Sequence, residues 1–189
     1  MKKLLFAALY LLPVTLFAQS MSDKAVKADN YTILRLLMVN QQGEILLAKY
    51  KTGWLTPSLR YNENQSIKGA LDSLARAFGY EVTVPQLRAM VTFQFDFKPV
   101  VSIRTHYAAH ISGGKLKSPK DVAEVKWVSK KEAEMLMSLP ETQAVDAIRV
   151  TTMQILNHPE TIWGGSFWVP ETGTACKMLE PFYPVGSSK

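Results

Sequence analysis

The order of apolar and polar residues predicts a β-hairpin near the start of the fold. Residues 31–40 (YTILRLLMVN) are almost continuously apolar and branched, as in a strand that is covered on both faces. The turn residues NQQG at 40–43 then precede a second apolar run at 44–50. Two such runs separated by a turn predict paired antiparallel strands.

A second hairpin is predicted by the alternation of apolar and polar residues over 87–97 and 100–111, joined at 96–99. In the later strand the apolar set is Val101, Ile103, Thr105, Tyr107, Ala109 and Ile111. Gly113 and Gly114 end that strand. Arg104, His106 and His110 belong to the opposite set, so the alternation predicts that these three side chains point outward.

Four further segments predict three helices and one strand. The clearest helix begins after Ser66, a good N-cap residue, and repeats apolar residues at 67, 70, 71, 74 and 78 before Gly79. A short strand is predicted at 122–128, then a helix from Ser129 to about residue 138 and another over 141–156. This order predicts the α/β class, with an α/β/α sandwich around a mixed β-sheet.

Composition is that of one globular domain and leaves several function classes without support. The chain has 189 residues, of which 47% are apolar and 20% are charged, and this excludes a disordered or collagen-like protein. The formal net charge is +6 without a cluster of like charges, so no nucleic-acid partner is expected. The single cysteine, Cys176, cannot form an intramolecular disulfide.

The N-terminus has the pattern of a secretory signal peptide over residues 1–20. Lys2 and Lys3 precede an apolar run over residues 4–18, and polar residues follow that run. A bilayer span needs about 20 apolar residues, and Pro13 interrupts this run, so no stable membrane span is expected after cleavage. Residues 21–30 are a polar leader. These features predict a bacterial protein that is periplasmic or secreted.

Taken in order, the predicted elements resemble a Nudix domain. The resemblance depends on the first hairpin with its NQQG turn and ILLAKY strand, on WLTP at 54–57, on the helix that ends at Gly79, and on EVKWV at 124–128 before a capped helix. It covers residues 31–157, and residues 158–189 are expected to pack on the domain as a C-terminal tail. The resemblance implies a pyrophosphohydrolase fold whose helix holds a divalent metal ion through the box G-x5-E-x7-R-E-U-x-E-E-x-G-U, where U is apolar.

The charged positions of that box are lost in this chain. When the box is anchored on Gly79, its first glycine falls on Ser58, its first glutamate on Asn64, its arginine on Asp72, and its three helical glutamates on Ser73, Arg76 and Ala77. Mg²⁺ prefers carboxylate oxygens and water as ligands. A guanidinium group about 4 Å from a metal ion opposes each unit of its charge by about 4 kcal/mol at an effective dielectric near 20. The resemblance therefore predicts no metal site and no cofactor.

The first functional hypothesis is a catalytically inactive domain that binds a ligand or partner through the old cleft. Its candidate ligand-binding residues are Arg60, Arg76, Arg104 and His106, because guanidinium groups bind phosphate and carboxylate groups directly. The expected partner is an anionic small molecule or an envelope protein. Simpler interpretations stay open: Asp72 and Arg76 can form an ordinary surface pair, and His106 and His110, about 13 Å apart along a strand, can lack any role.

The alternative hypothesis is a divergent hydrolase that cleaves a phosphoanhydride in a nucleoside diphosphate-linked substrate through a relocated metal site. Its candidate catalytic residues are Glu63, Asp72 and Glu124, with Mg²⁺ or Mn²⁺ as cofactor. Glu63 reaches the first box glutamate by a one-residue slip, and Glu124 lies where family members sometimes carry an acidic group near the metal. Export opposes this alternative, because nucleotide diphosphate pools are mainly cytoplasmic.

Overall fold

A computed structural model of the chain describes residues 31–61, 64–142, 144 and 146–187. The predicted signal peptide (1–20), the polar leader (21–30) and Glu63 lie outside the described residues. The strands in the described part of the chain are β1 Tyr31–Val39, β2 Ile45–Tyr50, β3 Gly53–Leu55, β4 Ser58–Tyr61, β5 Tyr80–Val82, β6 Gln86–Phe95, β7 Val101–Gly114, β8 Glu124–Val128, β9 Thr161–Val169 and β10 Lys177–Ser187. The helices are α1 Ile67–Ala77, α2 Lys130–Met137 and α3 Asp146–Asn157. None of these described helices is long and apolar enough to cross a bilayer.

The strands form a mixed sheet, as predicted. Its order is β10-β9-β6-β7-β1-β2-β3, and β4, β5 and β8 pair with β1, β7 and β2 respectively. β1 is parallel to β7, and β6 is parallel to β9. The β1–β2 and β6–β7 pairs are antiparallel, which confirms both predicted hairpins. The parallel β1–β7 pair places the start of β1 beside the start of β7.

Helix α1 covers one face of the sheet and has the ends that its sequence predicts. Ser66 caps the first turn, where its hydroxyl accepts a hydrogen bond from the Gly69 amide at 3.0 Å. The apolar positions of the helix pack against β1 in one cluster, which includes Leu34, Leu36, Leu71 and Leu74. Gly79 follows the helix at φ +84°, and a Cβ there would lie 2.0 Å from the Lys115 carbonyl oxygen. Only glycine fits that position.

Helices α2 and α3 cover the opposite face. Ser129 caps α2 as predicted, since its hydroxyl accepts from the Glu132 amide at 3.3 Å. α3 begins at Asp146 rather than at residue 141, because residues 139–142 form a turn closed by a bond from the Thr142 amide to the Leu139 carbonyl. With α1 on one face and α2 and α3 on the other, the α/β/α sandwich is confirmed.

The C-terminal residues form two strands of the sheet rather than an appended tail. β9 lies between β6 and β10, and β10 forms an edge. Gly164 of β9 allows this packing, because a Cβ there would lie 2.5 Å from the ring of Tyr183. The β9–β10 pairing has three register irregularities, and β10 contains Pro181 and Pro184. Glycine and proline usually indicate loops. Here the glycine allows the Tyr183 ring to approach the backbone of β9, and the prolines are tolerated because β10 is an edge strand.

Candidate functional site

A cationic cleft lies where β4, β1 and β7 run side by side. Strand pairing places Arg60 of β4 and Arg104 of β7 on either side of Ile33 of β1. Neighbouring strands are about 4.8 Å apart, so these two arginines fall in one short row on the same face of the sheet. Lys98, from the turn between β6 and β7, completes a cleft of about 400 Å³. We call it the β1 cleft; it is lined by Tyr31, Ile33, Arg60, Lys98, Val100 and Arg104.

The ring of Tyr31 holds the three cations of the β1 cleft together. The Cζ of Arg60, the Nζ of Lys98 and the Cζ of Arg104 lie 4.5, 5.3 and 5.4 Å from its centroid. Nη2 of Arg104 also donates a hydrogen bond to the Tyr31 hydroxyl at 3.3 Å. A cation within about 6 Å of an aromatic ring is attracted by its quadrupole. This attraction offsets part of the repulsion among three like charges.

The electrostatics of the β1 cleft favour an anion. No carboxylate is among its lining residues. Burial lowers the pKa of Arg104, and the Tyr31 hydroxyl opposes that shift. An anionic ligand would offset the positive charge of this guanidinium group.

Two more basic side chains lie on the same sheet face, one step further along the strands. Arg35 of β1 is in register with His106 of β7, and the two are 5% and 1% exposed. Nη1 of Arg35 donates to the carbonyl oxygen of Thr56 at 2.5 Å and to its hydroxyl at 3.2 Å. Burial, and after it the charge of Arg104, lower the pKa of Arg35 to about 10. The guanidinium group is therefore still charged at neutral pH.

His106 is neutral at physiological pH. Burial, followed by the charges of Arg35 and Arg104, holds its pKa well below the usual value. Its Nδ1 atom has no hydrogen-bond partner among the described residues. The prediction that His106 points outward to solvent is wrong. Its side chain lies on the face of the sheet that α2 and α3 cover, and it is buried there. On the other face Val101 and Ile103, which the alternation assigns to the core, are each 40% exposed.

Arg76 does not join the β1 cleft. α1 packs against Leu34 and Leu36, whereas the cleft uses Ile33, and successive residues of a strand point to opposite faces. The structure therefore brings two of the four predicted ligand-binding residues together, Arg60 and Arg104. It places Arg76 on the other side of the sheet and buries His106 beneath the cleft.

The exposed side of α1 has its own polar contacts. Nη2 of Arg76 donates to the Ser73 hydroxyl at 3.0 Å. The carboxylate of Asp72 pairs with Lys68 at 2.6 Å, one turn earlier in the helix. Asp72 thus takes Lys68 as its i,i+4 partner, rather than Arg76 as predicted.

Tyr31 and Lys98 are site residues that the sequence interpretation missed. Tyr31 is the first residue of β1, and Lys98 lies in a hairpin turn, so neither belongs to a recognisable motif. Their position over the cleft follows from the pairing of β1 with β7, which sequence periodicity does not specify. The only sequence signal for these two site residues would have been a lysine, Lys98, in the turn before β7, together with an aromatic residue, Tyr31, at the start of β1.

The sequence matches no protein-family model and no curated protein. Solved structures do match. The mMutator MutT protein from Bacillus halodurans has a TM-score of 0.58 and 16% identity, covering 81% of this chain and 96% of its own. A MutT protein from Methanosarcina mazei Go1 has a TM-score of 0.53 and 17% identity, covering 70% and 97%. A Nudix hydrolase from Nitrosomonas europaea has a TM-score of 0.55 and 12% identity, covering 75% and 80%.

The chain has a Nudix fold. On α1, the positions of the three helical glutamates of the Nudix box are occupied by Ser73, Arg76 and Ala77. These residues do not fit a divalent cation, because they present a hydroxyl, a guanidinium group and a methyl group. The guanidinium group of Arg76 lies against the Ser73 hydroxyl, so a cation at either position would meet its positive charge.

The acidic residues proposed for a relocated Nudix metal site do not form a cluster within the described part of the chain. Asp72 on α1 pairs with Lys68, and Glu124 on β8 pairs with Lys126 at 3.1 Å. No group of three or more His, Cys, Asp or Glu residues among those described is placed to hold a metal ion. Glu63, the third candidate, lies outside the described residues.

Proposed function

We propose that this chain is an exported Nudix-fold protein that binds an oxyanionic small molecule in the β1 cleft without metal-dependent hydrolysis. The observation that carries the proposal is the convergence of three cations on Tyr31 in a cleft whose lining contains no carboxylate. Arg60, which lines the cleft, is exposed to solvent.

The chemistry of the three cations suits a ligand with several ionised oxygens. A guanidinium group presents parallel N–H donors that match phosphate or carboxylate oxygens, and an ammonium group adds a point charge. A hydrogen bond to a charged group contributes about 1.5–3 kcal/mol. Two such bonds, from Arg60 and Arg104, would favour a dianion over a neutral analogue by roughly a hundredfold or more. A phosphate ester or a diphosphate therefore fits better than an uncharged sugar or base.

A second candidate function is a divergent hydrolase, and the names of proteins with similar solved structures favour it. One is called a Nudix hydrolase and another a UDP-X diphosphatase. In this function Glu63, Asp72 and Glu124 would hold Mg²⁺ or Mn²⁺. Ser73 and Arg76 oppose it, since the helix that supplies the family's carboxylates here supplies a hydroxyl and a cation.

Binding in the presence of a chelator tests the first function. We expect the purified protein to bind tripolyphosphate by isothermal titration calorimetry in EDTA, and Arg60→Gln and Arg104→Gln each to weaken binding at least tenfold. Lys131→Gln, which removes an exposed lysine on α2, is the matched control and should bind normally. Arg76→Gln should also bind normally. A loss in Arg76→Gln with no loss in Arg104→Gln would place the ligand on α1 and overturn the proposed site.

Hydrolysis assays separate the two functions. Nucleoside diphosphate sugars, dinucleoside polyphosphates and nucleoside triphosphates should remain intact with Mg²⁺ or Mn²⁺. Turnover that chelation abolishes would establish the hydrolase instead, and Asp72→Asn and Glu124→Gln would then show which carboxylates hold the metal.

Export is proposed from residues 1–20 and is tested on the bacterial cell. We expect N-terminal sequencing of the mature protein to begin between residues 19 and 21, and fractionation to recover the protein from the periplasm or the medium. A full-length N-terminus in the cytosol would contradict this part of the proposal.

A further inference from the structure

A second, more enclosed pocket lies at the other end of β1, on the α3 face. About 13 Å of strand separates Ile33 in the β1 cleft from Leu37 in this pocket. Its volume is about 260 Å³. Its floor is apolar and consists of Leu37, Val39, Ile45, Ala108, Ile155 and Leu156. Its polar lining consists of Arg88, His110 and Glu160. We call it the distal pocket.

The size of the distal pocket suits a small aliphatic molecule. An apolar cavity of about 150 Å³ holds benzene, which has six heavy atoms. By the same ratio 260 Å³ accommodates about ten heavy atoms. The floor presents branched aliphatic side chains from a strand, such as Leu37, and from a helix, such as Ile155. It therefore favours a branched aliphatic ligand over a flat ring system.

The backbone of β6 is irregular at the residue that supplies the cation. Leu87 pairs with Tyr107 and Ala89 pairs with His106, so Arg88 is an extra residue in the strand, a β-bulge. A bulge changes the direction of a side chain and often occurs beside a binding site. Nη2 of Arg88 donates to the side-chain oxygen of Gln86, two residues earlier in the chain.

The charges of the distal pocket complement a zwitterion. Arg88 is positive and Glu160 is negative, and both line the pocket together with its apolar residues. We propose that this pocket binds a free α-amino acid with a branched aliphatic side chain. The carboxylate would pair with Arg88, the ammonium group with Glu160, and the side chain would lie on Leu37, Ala108 and Ile155. This site is independent of the anion proposed for the β1 cleft.

Calorimetry with L-leucine and two truncated analogues tests the proposal on the purified protein. We expect L-leucine to bind, and 4-methylpentanoate, which lacks the amine, and 3-methylbutylamine, which lacks the carboxylate, each to bind at least tenfold more weakly. Binding of 4-methylpentanoate as strong as that of leucine would overturn the zwitterion assignment. Failure of leucine, isoleucine and valine to bind at millimolar concentration would overturn the site.

Variants locate the site on the structure. Arg88→Gln and Glu160→Gln should each weaken leucine binding at least tenfold, with Lys131→Gln as the matched control. Ala108→Leu should abolish binding by filling the pocket without changing a charge, and thermal unfolding would confirm that the variant folds. Leucine binding unchanged in both Ala108→Leu and Arg88→Gln would exclude the distal pocket. Arg104→Gln should leave leucine binding intact, which separates this test from that of the β1 cleft.

Discussion

Acid should destabilise this protein more strongly than a variant that lacks His106. The imidazole is 1% exposed, lies beside Arg35 in the strand register and has no partner for Nδ1 among the described residues. Its folded-state pKa lies well below the usual value because of burial and the charges of Arg35 and Arg104. In the unfolded chain the pKa returns to about 6.5. Below that pH the unfolded state binds one proton that the folded state does not, so stability falls as pH falls.

The magnitude follows from proton linkage. Each pH unit below about 6.5 removes about 1.4 kcal/mol from the free energy of unfolding for as long as the folded imidazole stays neutral. Lowering the pH from 7.5 to 4.5 should therefore cost at most about 3 kcal/mol through His106 alone, the limit reached if the folded imidazole stays neutral throughout. Global stabilities of domains are only about 5–15 kcal/mol, so this loss is measurable. Protonating His106 inside the fold is unfavourable, because Arg35 and Arg104 would then adjoin a third buried cation.

Urea denaturation at half-unit pH steps measures the effect. His106→Gln should be less stable than the unchanged protein near pH 7.5, yet lose less stability between pH 7.5 and 4.5, by up to about 3 kcal/mol. His110→Gln, which alters an exposed histidine on the same strand, should follow the unchanged protein. Parallel pH curves for the unchanged protein and His106→Gln would refute the reasoning, since they would mean that His106 takes up its proton equally in both states.

Three further predictions concern the scaffold. Gly79→Ala should lower the free energy of unfolding by more than about 2 kcal/mol in urea, because φ is +84° and the new Cβ would meet a carbonyl oxygen at 2.0 Å; a loss below about 0.5 kcal/mol would contradict that geometry. Ser66→Ala should cost about 0.5–2 kcal/mol by removing the bond to the Gly69 amide, whereas Ser66→Asp should cost little. Gly164→Ala should speed hydrogen exchange in β10, because the new Cβ would lie 2.5 Å from the Tyr183 ring; Gly164→Ala combined with Tyr183→Ala should restore slow exchange if that clash is the cause.

The sequence patterns correctly predicted the elements whose formation depends mainly on residues that are close together in the chain. Helix α1 follows from an N-cap, a period of 3.6 residues and a terminal glycine, all within 14 residues from Ser66 to Gly79. The β6–β7 hairpin follows from alternation on both sides of a turn. The strands β9 and β10 could not be found in this way. Gly164 leaves room for the Tyr183 ring. This contact depends on the pairing of β9 with β10, which local sequence patterns do not specify.

The assignment of faces on β7 failed for a similar reason. Alternation separates two sets of side chains, but it does not say which set is buried when helices cover both faces. In β7 the set of side chains that is buried changes along the strand. His106 is buried on the polar side, whereas Ile103 is 40% exposed on the apolar side. α1 reaches Ala109 and packs with Tyr107 but leaves the start of β7 uncovered, so one strand has two environments on the same face.

The Nudix box positions on α1 and the β1 cleft differ in how far apart their residues lie in the chain, and this difference explains how much of each could be predicted from the sequence. The helical metal positions of the Nudix box lie within one helix, so the sequence alone shows that Ser73 and Arg76 replace carboxylates. The β1 cleft joins residues from three separate strands and a turn, and its shape depends on β1 pairing with β4 on one side and with β7 on the other. Arg60 and Arg104 could be proposed as anion ligands from their chemistry, but their meeting on Tyr31 could not. Residue replacements at the helical box positions are therefore readable from sequence, whereas the arrangement of the proposed anion site requires the strand register.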